Sequence, residues 1–165
     1  MKIVHVVDSL DPRTGGPAVS VPATAEAQRR MHTQAIIACR KRGAPKGHGA
    51  WNDEGFLGFS GDMARRIRRR ARWADVVHSH GLWLGCNRAA ARAASEFARA
   101  LVISPRGMLE PWSLQHGRWK KRAAMLMYER TNLRAAAGFH ATSEAECESI
   151  RSCGLGQPIA MIPNG

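Results

Sequence analysis

The chain has 165 residues, 44% of them hydrophobic, which is enough for one domain of ordinary size with a real core. Lys and Arg number 25 against 13 Asp and Glu, a formal charge of +12, so either an anionic partner is implied or the charges are spread over solvated helix faces. No apolar run is long enough to span a bilayer, MKIVHVVDSL has no leader pattern, and Cys39, Cys86, Cys147 and Cys153 lack the close C-x-x-C spacing of a zinc or redox motif.

The expected compartment is therefore the cytoplasm, with reduced, structural cysteines and no metal or cofactor. Ile3 to Val7 reads as a first strand, and the polar loop after it carries Gly15-Gly16-Pro17. A helix is expected from about Val19 or Ser20 to Met31, because Pro22 is tolerated only in a first turn. That puts Gly15 and Gly16 between a strand and a helix N-terminus, where backbone N–H groups favour an anion. Neither a dinucleotide fingerprint nor a phosphate-binding P-loop is present.

Gln34 to Cys39 reads as strand two, and Arg40 to Asp62, with Trp51, Phe56 and Phe59, as a loop of little regular structure. Met63 to Trp73 reads as a very basic helix with Met63, Ile67 and Ala71 on a narrow apolar stripe. Strand three is Asp75 to His80, followed by Gly81-Leu82-Trp83 and an alanine-rich helix to about Arg99.

Leu101 to Ile103, a short continuous apolar run, suits a parallel strand covered on both faces, and Ser104-Pro105 stops it. Recognition-type chemistry begins at Arg106, whose planar fork matches phosphate or carboxylate. Gly107 permits a close backbone approach, and Trp112 and Trp119 are either flat recognition faces or core. A long helix is expected over Gly117 to Ala137, with Trp119, Ala123, Leu126, Met127, Leu133 and Ala137 on one side. Gly138 to Thr142 makes strand five, Ser143 caps a helix with Glu146 at the capping-box position, and Pro158 to Ile162 makes strand six.

Six strands alternating with helices predict an α/β, Rossmann-like, doubly wound domain with a mostly parallel sheet and helices on both faces. Ligands in such sheets bind outside the carboxyl ends of the strands. Gly15-Gly16, the His78, His80 and Gly81 set, Arg106-Gly107 and Thr142-Ser143 all fall at that edge. Four polar or glycine clusters at one edge point to a binding crevice.

These residues resemble a known family. The ordered blocks Gly15-Gly16-Pro17, DVVHSHGLW at 75 to 83, SPRGMLEPW at 104 to 112, WKKRAAML at 119 to 126, FHATSEAE at 139 to 146 and IPNG at 162 to 165 are similar to the N-terminal domain of family-4-like glycosyltransferases. The resemblance is greatest to those that build bacterial exopolysaccharide or cell-envelope sugars. It implies half of a retaining, metal-independent sugar transferase of the GT-B type, with two Rossmann-like domains facing a cleft. By motif, Gly15 and Gly16 would approach the donor phosphates. His80 would be the catalytic residue lining the cleft, and His78, Arg106, Gly107 and Trp112 would serve the acceptor. A structural, hydrogen-bonded His80 is the plain alternative.

The same resemblance leaves the donor-binding half, with its glutamate pair spaced eight apart, outside residues 1 to 165. His32-Thr33 stands where a glycine-containing turn is common. Residues 1 to 165 are thus expected to form one acceptor-side domain, inactive alone. Its substrates would be a nucleotide-sugar and a glycan or polyprenyl-diphosphate-linked acceptor. The alternative is a non-catalytic module that binds a phosphorylated glycolipid or pairs with a separate second half. Basic faces at Arg65 to Arg72 and Arg118 to Arg122 would suit an anionic membrane surface and a peripheral position on the inner face of the plasma membrane. Nucleic acid is not favoured, because no recognised motif accompanies the arginines.

Overall fold

A computed structural model describes residues 1–40, 49–51 and 60–163. Among these residues, seven parallel strands form one open sheet in the order β3-β2-β1-β4-β5-β6-β7: β1 Lys2–Val6, β2 Gln34–Arg40, β3 Gly49–Trp51, β4 Val76–His80, β5 Ala100–Ser104, β6 Gly138–Ala141 and β7 Ile159–Met161. The helices are α1 Pro17–Arg30, α2 Gly61–Trp73, α3 Gly85–Glu96, α4 Pro111–Gln115, α5 Arg118–Ala124, α6 Arg130–Arg134 and α7 Glu144–Ser152. A π turn, Met125–Glu129, joins α5 to α6 without a break.

Each strand is read by its period of two. Val4, Val6, Val77, Leu101, Ile103, Phe139 and Ala141 face a core shared with Met63, Ile67 and Ala71 of α2, the alanines of α3, Leu133 of α6 and Ile150 of α7. Val7, Ala35, Ile37 and Cys39 face the other way, against Val21 and Ala25 of α1. The helices therefore divide unequally, with α1 on one face and α2, α3, α6 and α7 on the other. On the α1 face, the alternate positions of β1, β4, β5 and β6 hold His5, His78, His80, Ser104 and His140 instead of apolar residues.

Several expectations need correction. The segment Arg40 to Asp62 is not all loop: β3 extends the sheet at its edge, and α2 begins at Gly61, because the Ser60 hydroxyl accepts from the Met63 amide as N-cap. Phe56 and Phe59 lie outside the described residues. α1 begins at Pro17, which suits a first helical position, so Pro22 sits inside the helix and forgoes one backbone bond.

The expected long helix is shorter, ends at Arg134 and contains the π turn, and α4 precedes it, opened by Pro111 at its first position. Its apolar side is not a single packed face. Leu133 is buried, whereas Trp119, Leu126 and Met127 are exposed, so the reading of Trp112 and Trp119 as core fails as well.

Candidate functional site

Because every strand is parallel, their carboxyl ends lie along one edge of the sheet. Two non-glycine residues just past that edge have left-handed backbones, Trp83 (φ 71°) after β4 and Arg106 (φ 57°) after β5. Such conformations persist only where surroundings hold them, and here the holders are identifiable. The amide of Gly107 donates to Glu146 Oε1 at 2.9 Å. Glu146 Oε2 accepts from the Thr142 amide at 2.7 Å, so one buried carboxylate ties the loop after β5 to the loop after β6. The Trp83 amide donates to Glu129 Oε2 at 3.2 Å, and the Trp83 carbonyl accepts from the Tyr128 hydroxyl at 2.6 Å. Both clamps on Trp83 come from the π turn, which shifts these two side chains toward the β4 loop.

Behind Arg106 lies a one-way hydrogen-bond chain. Arg106 Nη2 is 3.2 Å from His80 Nδ1, and a guanidinium can only donate. A neutral His80 therefore carries its proton on Nε2 and donates it to His5 Nδ1 at 3.0 Å. His5 in turn donates from Nε2 to Gln28 Oε1 of α1 at 2.8 Å. Burial keeps these rings neutral: it lowers His5 to about 4 and holds His78 and His80 well below the ordinary histidine value, with the neighbouring rings and Arg106 adding to the effect. Beside this chain, Ser104 Oγ bridges His78 Nε2 (2.8 Å) and His140 Nδ1 (3.0 Å), and His140 donates to the Ile162 carbonyl at 3.1 Å.

Two cavities open on this arrangement. One, of about 380 Å³, is lined by Leu82, Trp83, Leu84, Arg106, Gly107, Met108, Trp112, Ser113 and Lys121. It gathers three of the sequence-expected residues, Arg106, Gly107 and Trp112, and adds Lys121, whose amine donates to the Ser113 carbonyl. The walls are apolar and the cations two, a lining that suits an amphipathic anion. The other, of about 600 Å³, runs between α1 and β6–β7 on the opposite side of the network, and His78 and His140 line it.

His80, 2% exposed, meets the first cavity only through Arg106, and His78 opens on the second. Gly15 and Gly16 line neither. Gly16 caps α1 with no side-chain hydrogen bond, and Gly15 is left-handed (φ 106°), with open space where a Cβ would stand at both. The amide of Gly107 already serves Glu146, and Trp112 is exposed, its indole N–H donating to Glu110.

Sequence reading gave no site role to His5, Gln28, Ser104, His140 and Glu129, and it read Glu146 as a capping-box residue, whereas its carboxylate holds the Gly107 and Thr142 amides. The histidines had a signal, since His5, His78, His80 and His140 occupy alternating strand positions that share one face. Glu129 had almost none, because a Glu in a helix is unremarkable until the fold buries it. The three buried rings His5, His78 and His80 bring ligand-capable nitrogens within 4.8 Å of one another. They suit a cation poorly: His80 Nε2 is protonated to serve His5, the Arg106 guanidinium faces its other nitrogen, and among the described residues no carboxylate joins the group.

A model of the glycosyl transferase 4-like domain matches residues 15–165. Solved structures of the same fold include HepE of Anabaena in complex with UDP-glucose, at a TM-score of 0.70 and 18% identity over 100% of this chain and 44% of that one. A structure of HepE with UDP and glucose gives 0.68 and 18% over 100% and 45%. UDP-GlcNAc 2-epimerase from Methanocaldococcus jannaschii gives 0.66 and 13% over 99% and 46%. The chain thus spans less than half the length of the structures it matches. No curated protein sequence matches it significantly. At such identities the structural neighbours speak for the fold alone, whereas the family model covers nearly the whole sequence. The chain belongs to the glycosyl transferase 4-like domain family.

Proposed function

We propose that this domain is the acceptor-side half of a retaining transferase. It would serve transfer of a sugar from a nucleotide-sugar to a glycan or polyprenyl-diphosphate-linked acceptor, on the cytoplasmic face of the plasma membrane. The observation that carries this reading is the cavity lined by Arg106, Lys121 and Trp112, where two cations meet apolar walls at the carboxyl edge of the sheet. A lipid-linked diphosphate has that combination of charge and grease. Arg106 binds the acceptor phosphate or the charge that gathers on the leaving diphosphate, and Trp112 and Gly107 bound the sugar. His80 holds Arg106 in position instead of touching the sugar, and His78 steadies Ser104 and His140. Gly15 and Gly16, at the open N-terminus of α1, approach the donor phosphates. Neighbours solved with UDP-glucose, or with UDP and glucose, support a nucleotide-sugar as donor.

The test is transfer from UDP-glucose to a polyprenyl-diphosphate-linked sugar by the native gene product. Arg106→Ala should lower kcat/KM by roughly 100-fold or more. The 165-residue chain alone should transfer nothing. Wild-type turnover in the Arg106 variant sinks the assignment of that residue, and turnover by the isolated domain sinks the claim that it is only half an enzyme. A second reading is a binding module that works with a separate chain. Tight binding of polyprenyl phosphate without turnover, together with co-purification of a domain-sized partner, would select it.

A further inference from the structure

Large apolar side chains on the described surface are few, and four of them fall in one run: Trp112 (61% exposed), Trp119 (72%), Leu126 (81%) and Met127 (74%). The spacing of Trp119, Ala123, Leu126 and Met127 keeps them on one outward side of α5 and the π turn, while Glu129 on the inner side is buried. Between Pro111 and Tyr128 the sequence has no acidic residue and four cations, Arg118, Lys120, Lys121 and Arg122. Lys121 turns inward to Ser113, leaving three at the surface. The guanidinium groups of Arg118 and Arg122 each lie 5.6 Å from the Trp119 ring centroid, flanking the indole.

We infer that the face of α4, α5 and the π turn carrying Trp112, Trp119, Leu126 and Met127 is an in-plane docking surface for an anionic lipid bilayer. Trp and Leu enter the headgroup boundary, and the flanking arginines stay at the phosphates while their aliphatic stems follow the apolar side chains inward. The charge pattern selects this occupant. A second copy paired through the same face would set like charges against each other, whereas a face with three exposed cations beside Glu110, whose carboxylate accepts the Trp112 indole N–H, keeps a positive excess complementary to anionic headgroups. Trp112 and Lys121 also line the Arg106 cavity, so the docking surface runs into the candidate acceptor site. The inference extends the lipid-acceptor reading, but acceptor-free vesicles test it, so the two can fail separately.

The experiment is flotation of the 165-residue chain with phosphatidylcholine vesicles with and without phosphatidylglycerol, at low and high salt, alongside tryptophan emission. Binding to the anionic vesicles with a blue shift is expected, weakened but not abolished by salt. Trp119→Ser/Leu126→Ser/Met127→Ser should reduce partitioning at least tenfold with unchanged circular dichroism and melting, since all three side chains are exposed. Arg65→Gln/Arg69→Gln/Arg72→Gln on α2 should reduce it far less. Wild-type partitioning by the triple serine variant overturns the inference, as does an equal loss in the α2 variant or complete release by salt. Two further results also overturn it: concentration-dependent dimerisation that the serine variant removes, and displacement from vesicles by an oligonucleotide. The first points to a second copy as the occupant and the second to a nucleic acid.

Discussion

The two most basic helices of this domain, α2 and α5 with its π turn, resemble each other in composition and differ in construction. α2 carries six arginines between Arg65 and Arg72, and its apolar residues Met63, Ile67 and Ala71 are all sunk into the core. Its charges are answered locally, Arg66 by Asp62 at 2.8 Å and Arg68 by Glu96 of α3. α5 has fewer cations and no acid of its own, and its largest apolar side chains face outward. Charge alone therefore says little about a partner. What distinguishes a solvated helix from an interacting one is where the apolar residues point once the core is full.

The largest expected effect separates the two helices by stability. Ile67→Ala should cost about 2–5 kcal/mol, since the side chain is fully buried and leaves a cavity. Leu126→Ala should change stability by less than about 0.5 kcal/mol. Urea unfolding of both variants measures this, and a comparable loss at Leu126 would mean that the α5 face is packed in solution and the contrast is false.

The pH dependence of stability sharpens the comparison next, because the inner side of the π turn holds a titrating carboxyl and α2 has none so buried. Burial raises Glu129 to about 7, with the Trp83 amide opposing. Between about 4.5 and 7 the native state then holds a proton that the unfolded chain has released, so this group's stabilisation is lost as pH rises through that window. Glu129→Gln should remove that slope and raise stability near pH 8 by up to about 3 kcal/mol. His5 acts in the opposite sense. Its pKa, lowered to about 4, gives a contribution that is complete above about 6.5 and lost as pH falls toward 4. His5→Gln should make the acid limb shallower in equilibrium unfolding from pH 4 to 8, with His78 and His80 carrying the remainder, and an unchanged limb would mean that His5 contributes none of it.

A smaller effect compares strained backbones. His32 (φ 58°) and Ala98 (φ 49°) are left-handed just past α1 and α3, where glycine is favoured, whereas Trp83 and Arg106 hold the same conformation beside the cavity. His32→Gly and Ala98→Gly should each stabilise by about 1 kcal/mol, read as a shift in urea midpoint. Glycine at 83 or 106 should instead empty the site. The smallest expected effect is at Arg68→Gln, whose partner Glu96 is in water. Its melting should be nearly that of the wild type, and any difference should fade with salt.

Much of the fold was legible because β-branched runs and helical stripes repeat six times with glycine or proline between them. β3 was not, since three residues carry no period, and neither was the π turn, whose sequence MLMYE reads as ordinary helix. Of the candidate site, Arg106, Gly107 and Trp112 stood out for residue type next to a strand end, and they do line one cavity. The side chains that hold Arg106 were hidden in the alternation, because whether His5 faces core or partner depends on the strand beside it. The orientation of Trp119 was equally out of reach: a helix wheel places residues on sides and cannot say which side the sheet covers.

The one-way order of the chain from Arg106 to Gln28 has an electrostatic consequence. The chain's two rings, His80 and His5, stacked at 22°, stay uncharged near neutral pH and form a floor behind the guanidinium with no charge of their own. The potential at the cavity is then set by Arg106 and Lys121 against the carboxylates of Glu146, Glu110 and Glu129, and its change with pH near neutrality follows Glu129, raised to about 7, and not the rings.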